Sequence, residues 1–148
     1  MQPRKLEAML SCLIAEDEAI TAWALADAAE EAGYHVLGPY GRCSAVFQAL
    51  DQVTLDVVIL DVKLRDGATY EVARELCGRA IPFVVFSGHR RTKDTHPAFD
   101  GAPWIEKPAT PTEVLATFPP LIRRVRQPQD YRMESAPPLV RVADPPAP

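Results

Sequence analysis

Residues 55–67 read Leu-Asp-Val-Val-Ile-Leu-Asp-Val-Lys-Leu-Arg-Asp-Gly, and the apolar run at 57–60 constrains the fold more than any other stretch of the chain. Branched aliphatic residues with no polar alternation make a strand that is buried on both faces, as in a parallel α/β sheet. The run stops on a carboxylate, Asp61. Two other segments end the same way: residues 10–15 run into Glu16 and Asp17, and residues 82–86 run into Ser87. Parallel strands all point one way, so their carboxyl ends gather along one edge, where such sheets bind ligands. Glu16, Asp17, Asp61 and Ser87 are expected to meet there. A weaker strand at 104–106 ends on Lys107 and Pro108 and would bring a cation to the same edge.

Three carboxylates that close together do not all stay ionised unless a cation compensates them or a pKa rises. Against one lysine, the three acids leave two negative charges, which one divalent ion would neutralise. Oxygen donors without His or Cys favour magnesium, which keeps several waters and is commonly shared with a phosphate. A carboxylate beside bound magnesium, with an ammonium and a hydroxyl to hold phosphoryl oxygens, suits in-line phosphoryl transfer onto that carboxylate.

The acidic pair Glu16 and Asp17, the run Leu60-Asp61-Val62-Lys63-Leu64 with Gly67, the pair Ser87 and Gly88, and the pair Lys107 and Pro108 resemble the receiver domains of bacterial two-component response regulators. The resemblance covers about residues 10–124. It implies an α/β, flavodoxin-like, doubly wound sheet of five parallel strands in the order 2-1-3-4-5, with helices on both faces. Carried over residue by residue, it implies that Asp61 is the phosphoacceptor and Asp17 a direct magnesium ligand. Glu16 would act through a metal-bound water, and the Lys63 carbonyl would complete the protein ligands. Ser87 resembles the switch hydroxyl, Lys107 its ion-pair partner and Trp104 the switch aromatic. Lys63 and His89 stand where side chains flank the phosphoryl group, and Lys107–Pro108 is expected to be a cis bond.

Finer details are similar to a stand-alone, single-domain subgroup common in alphaproteobacteria: Gly33 to Pro39, Tyr70-Glu71-Val72-Ala73, and Ile81-Pro82-Phe83 leading to Ser87. The subgroup's usual Phe-Ala-Thr-Gly-Tyr is replaced here by Val85-Phe86-Ser87-Gly88-His89. The resemblance implies a sensor histidine kinase or histidine phosphotransfer protein as donor, a downstream protein target, and donor docking near Ile20, Trp23, Ala24, His89 and Pro108. Two rival readings are a phosphorylation-independent scaffold and a magnesium-dependent phosphatase with an Asp nucleophile. Such phosphatases place a second Asp two residues after the first as general acid. Lys63 occupies that position.

The chain has 148 residues and a net charge of −4, which argues against the basic face that nucleic acid requires. Its three cysteines, Cys12, Cys43 and Cys77, form neither a disulfide framework nor a zinc pattern, and Cys12 reads as core. No secretory signal or membrane-length apolar run is present, so a cytoplasmic protein is expected. The expected organisation is an N-terminal extension at 1–9, a receiver domain at 10–126 and a Pro-rich tail at 127–148. Eight of the fifteen prolines fall between 119 and 148, so no second folded domain is expected within that stretch.

Along the chain, Asp17 is expected to cap a helix at 18–32 closed by Gly33, with Leu25, Ala28, Ala29 and Ala32 facing the sheet. Trp23, off that stripe, either folds over a neighbouring loop or joins Ile20 and Ala24 in a docking patch. A strand at 35–37, a turn at 38–41 and a helix capped by Ser44 should follow, then a loop at 67–69 and a helix at 70–76 closed by Gly78. The basic stretch 89–93 reads as a solvated loop or a signalling face, and prolines at 97 and 103 leave the fourth helix short or degenerate. Thr110-Pro111-Thr112-Glu113 reads as a capping box opening a last helix that Pro119 and Pro120 should kink or end. A short strand is expected at 139–142.

Overall fold

The computed structural model describes residues 9–126. The strand expected at 139–142 lies outside the described residues. In chain order the elements are β1 (Ser11–Ala15), α1 (Ala19–Glu31), β2 (His35–Tyr40), α2 (Cys43–Leu50), β3 (Val57–Leu60), a hairpin of β4 (Lys63–Leu64) and β5 (Gly67–Ala68), α3 (Tyr70–Gly78), β6 (Phe83–Ser87), a 3-10 turn (Pro97–Phe99), β7 (Trp104–Glu106), α4 (Pro111–Leu115) and α5 (Phe118–Arg126). The five long strands form one parallel sheet in the order β2-β1-β3-β6-β7, the expected doubly wound arrangement. No described helix is long and apolar enough to cross a membrane.

Alternation within the central strands splits the core in two, because successive side chains leave opposite faces of a strand. Leu13, Ala15, Val58, Leu60, Phe83 and Val85 pack against α2, α3 and the 3-10 turn. Cys12, Ile14, Val57, Ile59, Val84 and Phe86 pack against α1, α4 and α5. Each fully buried aliphatic or aromatic side chain contributes roughly 1.5–3 kcal/mol, so the central strands anchor the edge described below. Cys12 is core, and burial pushes its thiol up to about 12.

Several local expectations are corrected. The residue before α1 is Glu18, with no side-chain cap from Asp17, and the buried stripe is Ala22, Leu25, Ala26 and Ala29. Ala28 is half-buried and Ala32 exposed, because the sheet-facing stripe begins three residues before Leu25. Trp23 is 64% exposed. The expected turn at 38–41 is instead the end of β2: Leu13 pairs with Leu37 but Ala15 with Tyr40, so β2 carries an extra residue. Both Gly38–Pro39 and Lys107–Pro108 are cis. Ser44 lies inside the first turn of α2, where Asp66 from the β4–β5 hairpin accepts bonds from the Cys43 and Ser44 amides at 2.6 and 3.2 Å. The 67–69 loop forms one side of that hairpin. Gly78 stays helical, and Ala80 takes the left-handed conformation that closes the segment.

The 3-10 turn is all that remains of a fourth helix, as the prolines implied. The Thr110–Glu113 capping box forms, with both reciprocal bonds present. The break falls before the prolines, at 116–117; Pro119 and Pro120 then sit in the first turn of α5, where their missing amides cost no helix bond.

Two predictions follow from these local devices. Gly38 has φ +95°, and a Cβ there would lie 2.9 Å from the Ile14 carbonyl oxygen. Gly38→Ala should therefore lose about 1–3 kcal/mol, measured by urea unfolding; an unchanged midpoint would show that the bulge adapts freely. For Asp66, the bonds from the Cys43 and Ser44 amides hold the carboxyl below the usual aspartate range. A lowered folded pKa gives stability above the ordinary aspartate value that is lost as pH falls through the folded one. Asp66→Ala should lower the melting temperature at neutral pH, and the gap to the parent should close in strong acid.

Candidate functional site

Glu16 follows β1, Asp61 follows β3, Ser87 ends β6 and Lys107 follows β7, so four sheet strands each deliver one group to the same edge. Backbone bonds fix where they arrive. The Glu16 amide donates to the Tyr40 carbonyl at 2.9 Å, which is possible only because the bulge in β2 brings Tyr40 level with β1. The Asp61 amide donates to Ala15 at 3.2 Å and the Lys107 amide to Ser87 at 2.8 Å.

Carboxylate oxygens of Glu16, Asp17 and Asp61 all lie within 4.8 Å of one another. Glu16 and Asp61 are buried and Asp17 half-buried. Lys107 is the compensating cation: its Nζ lies 2.9 Å from Glu16 Oε1 and 3.0 Å from Asp61 Oδ2, and above the Phe86 ring at 5.4 Å. Burial pushes the Glu16 carboxyl up, and the bonds it accepts from Lys107 and the Glu18 amide only partly offset this, leaving it above the ordinary range. Burial alone would lower Lys107, but its bonds to Glu16 and Asp61 outweigh that and hold the ammonium above its ordinary value. The cluster offers only hard oxygen donors and keeps an excess of negative charge over Lys107, a donor set that fits magnesium rather than a softer metal.

The remaining residues singled out from the sequence are distributed around this centre. Ser87 is fully buried; its Oγ accepts from the His89 amide at 3.0 Å and lies 3.3 Å from His89 Nδ1. Trp104 is half-buried, donates from Nε1 to the His89 carbonyl at 2.9 Å and carries the Arg91 guanidinium over its ring at 5.1 Å. Lys63 pairs with Ala68 in the small hairpin, and its side chain is exposed. Ile20, Ala24 and Pro108 line a groove of about 450 Å³ that also touches Lys107 and Phe86. Trp23 and His89 do not line it.

Sequence reasoning missed two residues that hold Asp61. The Val62 amide donates to Asp61 Oδ1 at 2.8 Å, and the buried Thr69 hydroxyl donates to the Asp61 carbonyl at 2.6 Å. A hydroxyl residue just before α3 reads as a helix cap, but no cap bond forms there, so the local signal pointed elsewhere.

No family model matches the chain. The transcriptional regulatory protein PdtaR of Mycobacterium tuberculosis is 29% identical over 120 residues, which cover 78% of this chain and 58% of PdtaR. The chain thus spans little more than half the length of that relative. A CheY-like response-regulator receiver domain from Methanospirillum hungatei superimposes with a TM-score of 0.73 at 16% identity, covering 82% of this chain and 99% of that one. The receiver domain of the Pseudomonas aeruginosa sensor histidine kinase PA1611 has magnesium coordinated in its active-site cleft. It superimposes with a TM-score of 0.67 at 17% identity, over 78% of this chain and 98% of that one. With its five parallel strands in the order β2-β1-β3-β6-β7, this chain has the fold of CheY-like response-regulator receiver domains.

Proposed function

We propose that this chain accepts a phosphoryl group on Asp61 from a histidine kinase or a histidine phosphotransfer protein. It then signals through protein contacts or drains phosphate from its donor. The observation that carries this reading is the Lys107 ammonium seated between Asp61 and Glu16 at the carboxyl edge of the sheet. A cation fixed there offsets the charge of arriving phosphoryl oxygens without having to move, which is how a preorganised site lowers a barrier. In the transfer, a bond forms between an Asp61 carboxylate oxygen and phosphorus as the donor's P–N bond breaks, the electron pair returning to the donor imidazole.

Glu16, Asp17 and Asp61, with the Lys63 carbonyl, are the groups that would hold magnesium, an ion that supplies charge neutralisation to the transferred oxygens. Ser87 is the proposed switch hydroxyl and Trp104 the aromatic that reports on it through His89. Lys63 and His89 are proposed to set the phosphoryl lifetime. The groove at Ile20, Ala24 and Pro108 opens beside Lys107 and is the proposed seat of the donor, with the exposed Ile20, at 83%, as its apolar contact. In this reading the receiver domain spans residues 10–126, and its chemistry is on itself.

Incubation with acetyl phosphate and magnesium, followed by intact mass, should show one added phosphoryl group that Asp61→Asn abolishes; an unmodified parent would overturn the assignment. Lys107→Met should destabilise the fold by about 3 kcal/mol, since it strands two buried carboxylates without their cation. Magnesium should restore more of the melting temperature to that variant than it adds to the parent. Equal shifts in the two proteins would separate the lysine from the metal site.

A further inference from the structure

On the proposal that Asp61 is phosphorylated, we propose that Arg65 is an anion-recognising residue that binds the phosphoryl group of the incoming donor at the mouth of the acidic cluster. The Arg65 amide donates to the Gly41 carbonyl at 2.9 Å, which ties the β4–β5 hairpin to the segment after β2. Its guanidinium lies across Gly41: a methyl group placed on Gly41 would sit 3.3 Å from Arg65 Nη1 and 3.5 Å from Cζ. The same point lies 3.4 Å from Asp17 Cβ. Arg65 and Asp17 therefore share the surface that a bare glycine leaves open, on the flank of the cluster away from Ser87.

Among the described residues this arginine makes no ion pair, although it lies beside one acid and precedes another. Asp17 does not hold it, and the Asp66 carboxylate is occupied by the amides of α2. Lys107 is committed to Glu16 and Asp61. Arg65 is thus an exposed cation at this rim, outside every ion pair among the described residues, as is Lys63 on the other side of Leu64. Its planar fork matches two oxygens of a phosphoryl group, which a lysine does not do bidentately. In the transfer from acetyl phosphate, an Asp61 oxygen–phosphorus bond forms as the bond from phosphorus to the acetate oxygen breaks, and acetate leaves with the electron pair. Arg65 exchanges no proton; it receives the dianion.

A cation beside Asp17 repels a divalent metal and attracts a dianionic donor, so removing it has opposite effects on the two. A role confined to holding the hairpin predicts that both decline together. In the full chain, magnesium affinity measured by calorimetry should be unchanged or tighter in Arg65→Ala. The second-order rate of phosphorylation by acetyl phosphate should fall about 3- to 10-fold, with a weaker dependence on ionic strength, as expected for a charge acting on encounter. Arg65→Lys should retain part of the rate. Gly41→Ala, which keeps the charge but displaces the guanidinium, should fall between the parent and Arg65→Ala. A parent and Arg65→Ala with equal rates would overturn the proposal alone, as would parallel loss of magnesium affinity and rate. A parent that gains no phosphoryl group sinks the receiver reading and this proposal together.

Discussion

One ammonium held between two buried carboxylates is the contact on which this molecule's architecture turns. Desolvating Glu16 and Asp61 costs several kcal/mol each unless a cation compensates them, and Lys107 reaches both at about hydrogen-bond length. The three residues leave three different strands, β1, β3 and β7, which are not all neighbours in the sheet. The ion pair therefore ties together strand ends that the backbone ladder joins only in sequence. The Lys107 amide adds a bond to Ser87 at the end of β6. Every central element is thus registered against the others at the edge where the acids sit.

Preorganisation at that edge is mostly the work of the backbone. Asp61 is gripped at its amide by Ala15, at its carbonyl by Thr69 and at Oδ1 by the Val62 amide, so its carboxylate has little freedom before Lys107 is counted. Glu16 is aimed through a bulge that only a glycine at position 38 accommodates, because a side chain there would press on the Ile14 carbonyl. Holding a reacting group within a fraction of an ångström is what a well-placed site requires. Here that precision comes from strand ends packed by Ile14, Ile59, Leu60 and Val85, with Val62 and Thr69 holding Asp61 from the segments beyond them.

How legible this was in the sequence depended on the range of the force involved. Strands ending on polar groups could be read directly, since an unbroken run such as Val57–Leu60 has no exposed face to offer and its terminus must carry whatever comes next. Parallel topology then forced Glu16, Asp17, Asp61, Ser87 and Lys107 to one edge. The reading failed where a partner arrives from far along the chain. Ser44 looked like a cap, yet Asp66, which lies on the hairpin, satisfies the amides of α2. A Gly-Pro pair in 38–41 looked like a turn, yet β1 offers it a ladder, and the strand continues through a bulge to Tyr40. Thr69 likewise bonds across to Asp61 rather than along its own helix.

On the proposal that Asp61 is phosphorylated, the two flanks of the cluster differ in how much they must give up. On the Ser87 side the hydroxyl already has partners in the His89 amide and ring. Trp104 holds the same residue's carbonyl, and it is braced by Arg91 above and by the edge of Phe99 at 6.1 Å. Turning Ser87 toward a phosphoryl oxygen would exchange one hydrogen bond for another, so the gain is only the excess strength of a bond to a charged acceptor, about twice that of a neutral one. An inward swing of the indole would further forfeit the Nε1 bond and the stacked guanidinium together. On the proposed switch roles, the barrier would lie in the contacts of Trp104 rather than in Ser87. A proposed state change on this side would have to be driven by charge on Asp61 strong enough to break those contacts, whereas Arg65, in its proposed role, would respond without breaking an ion pair.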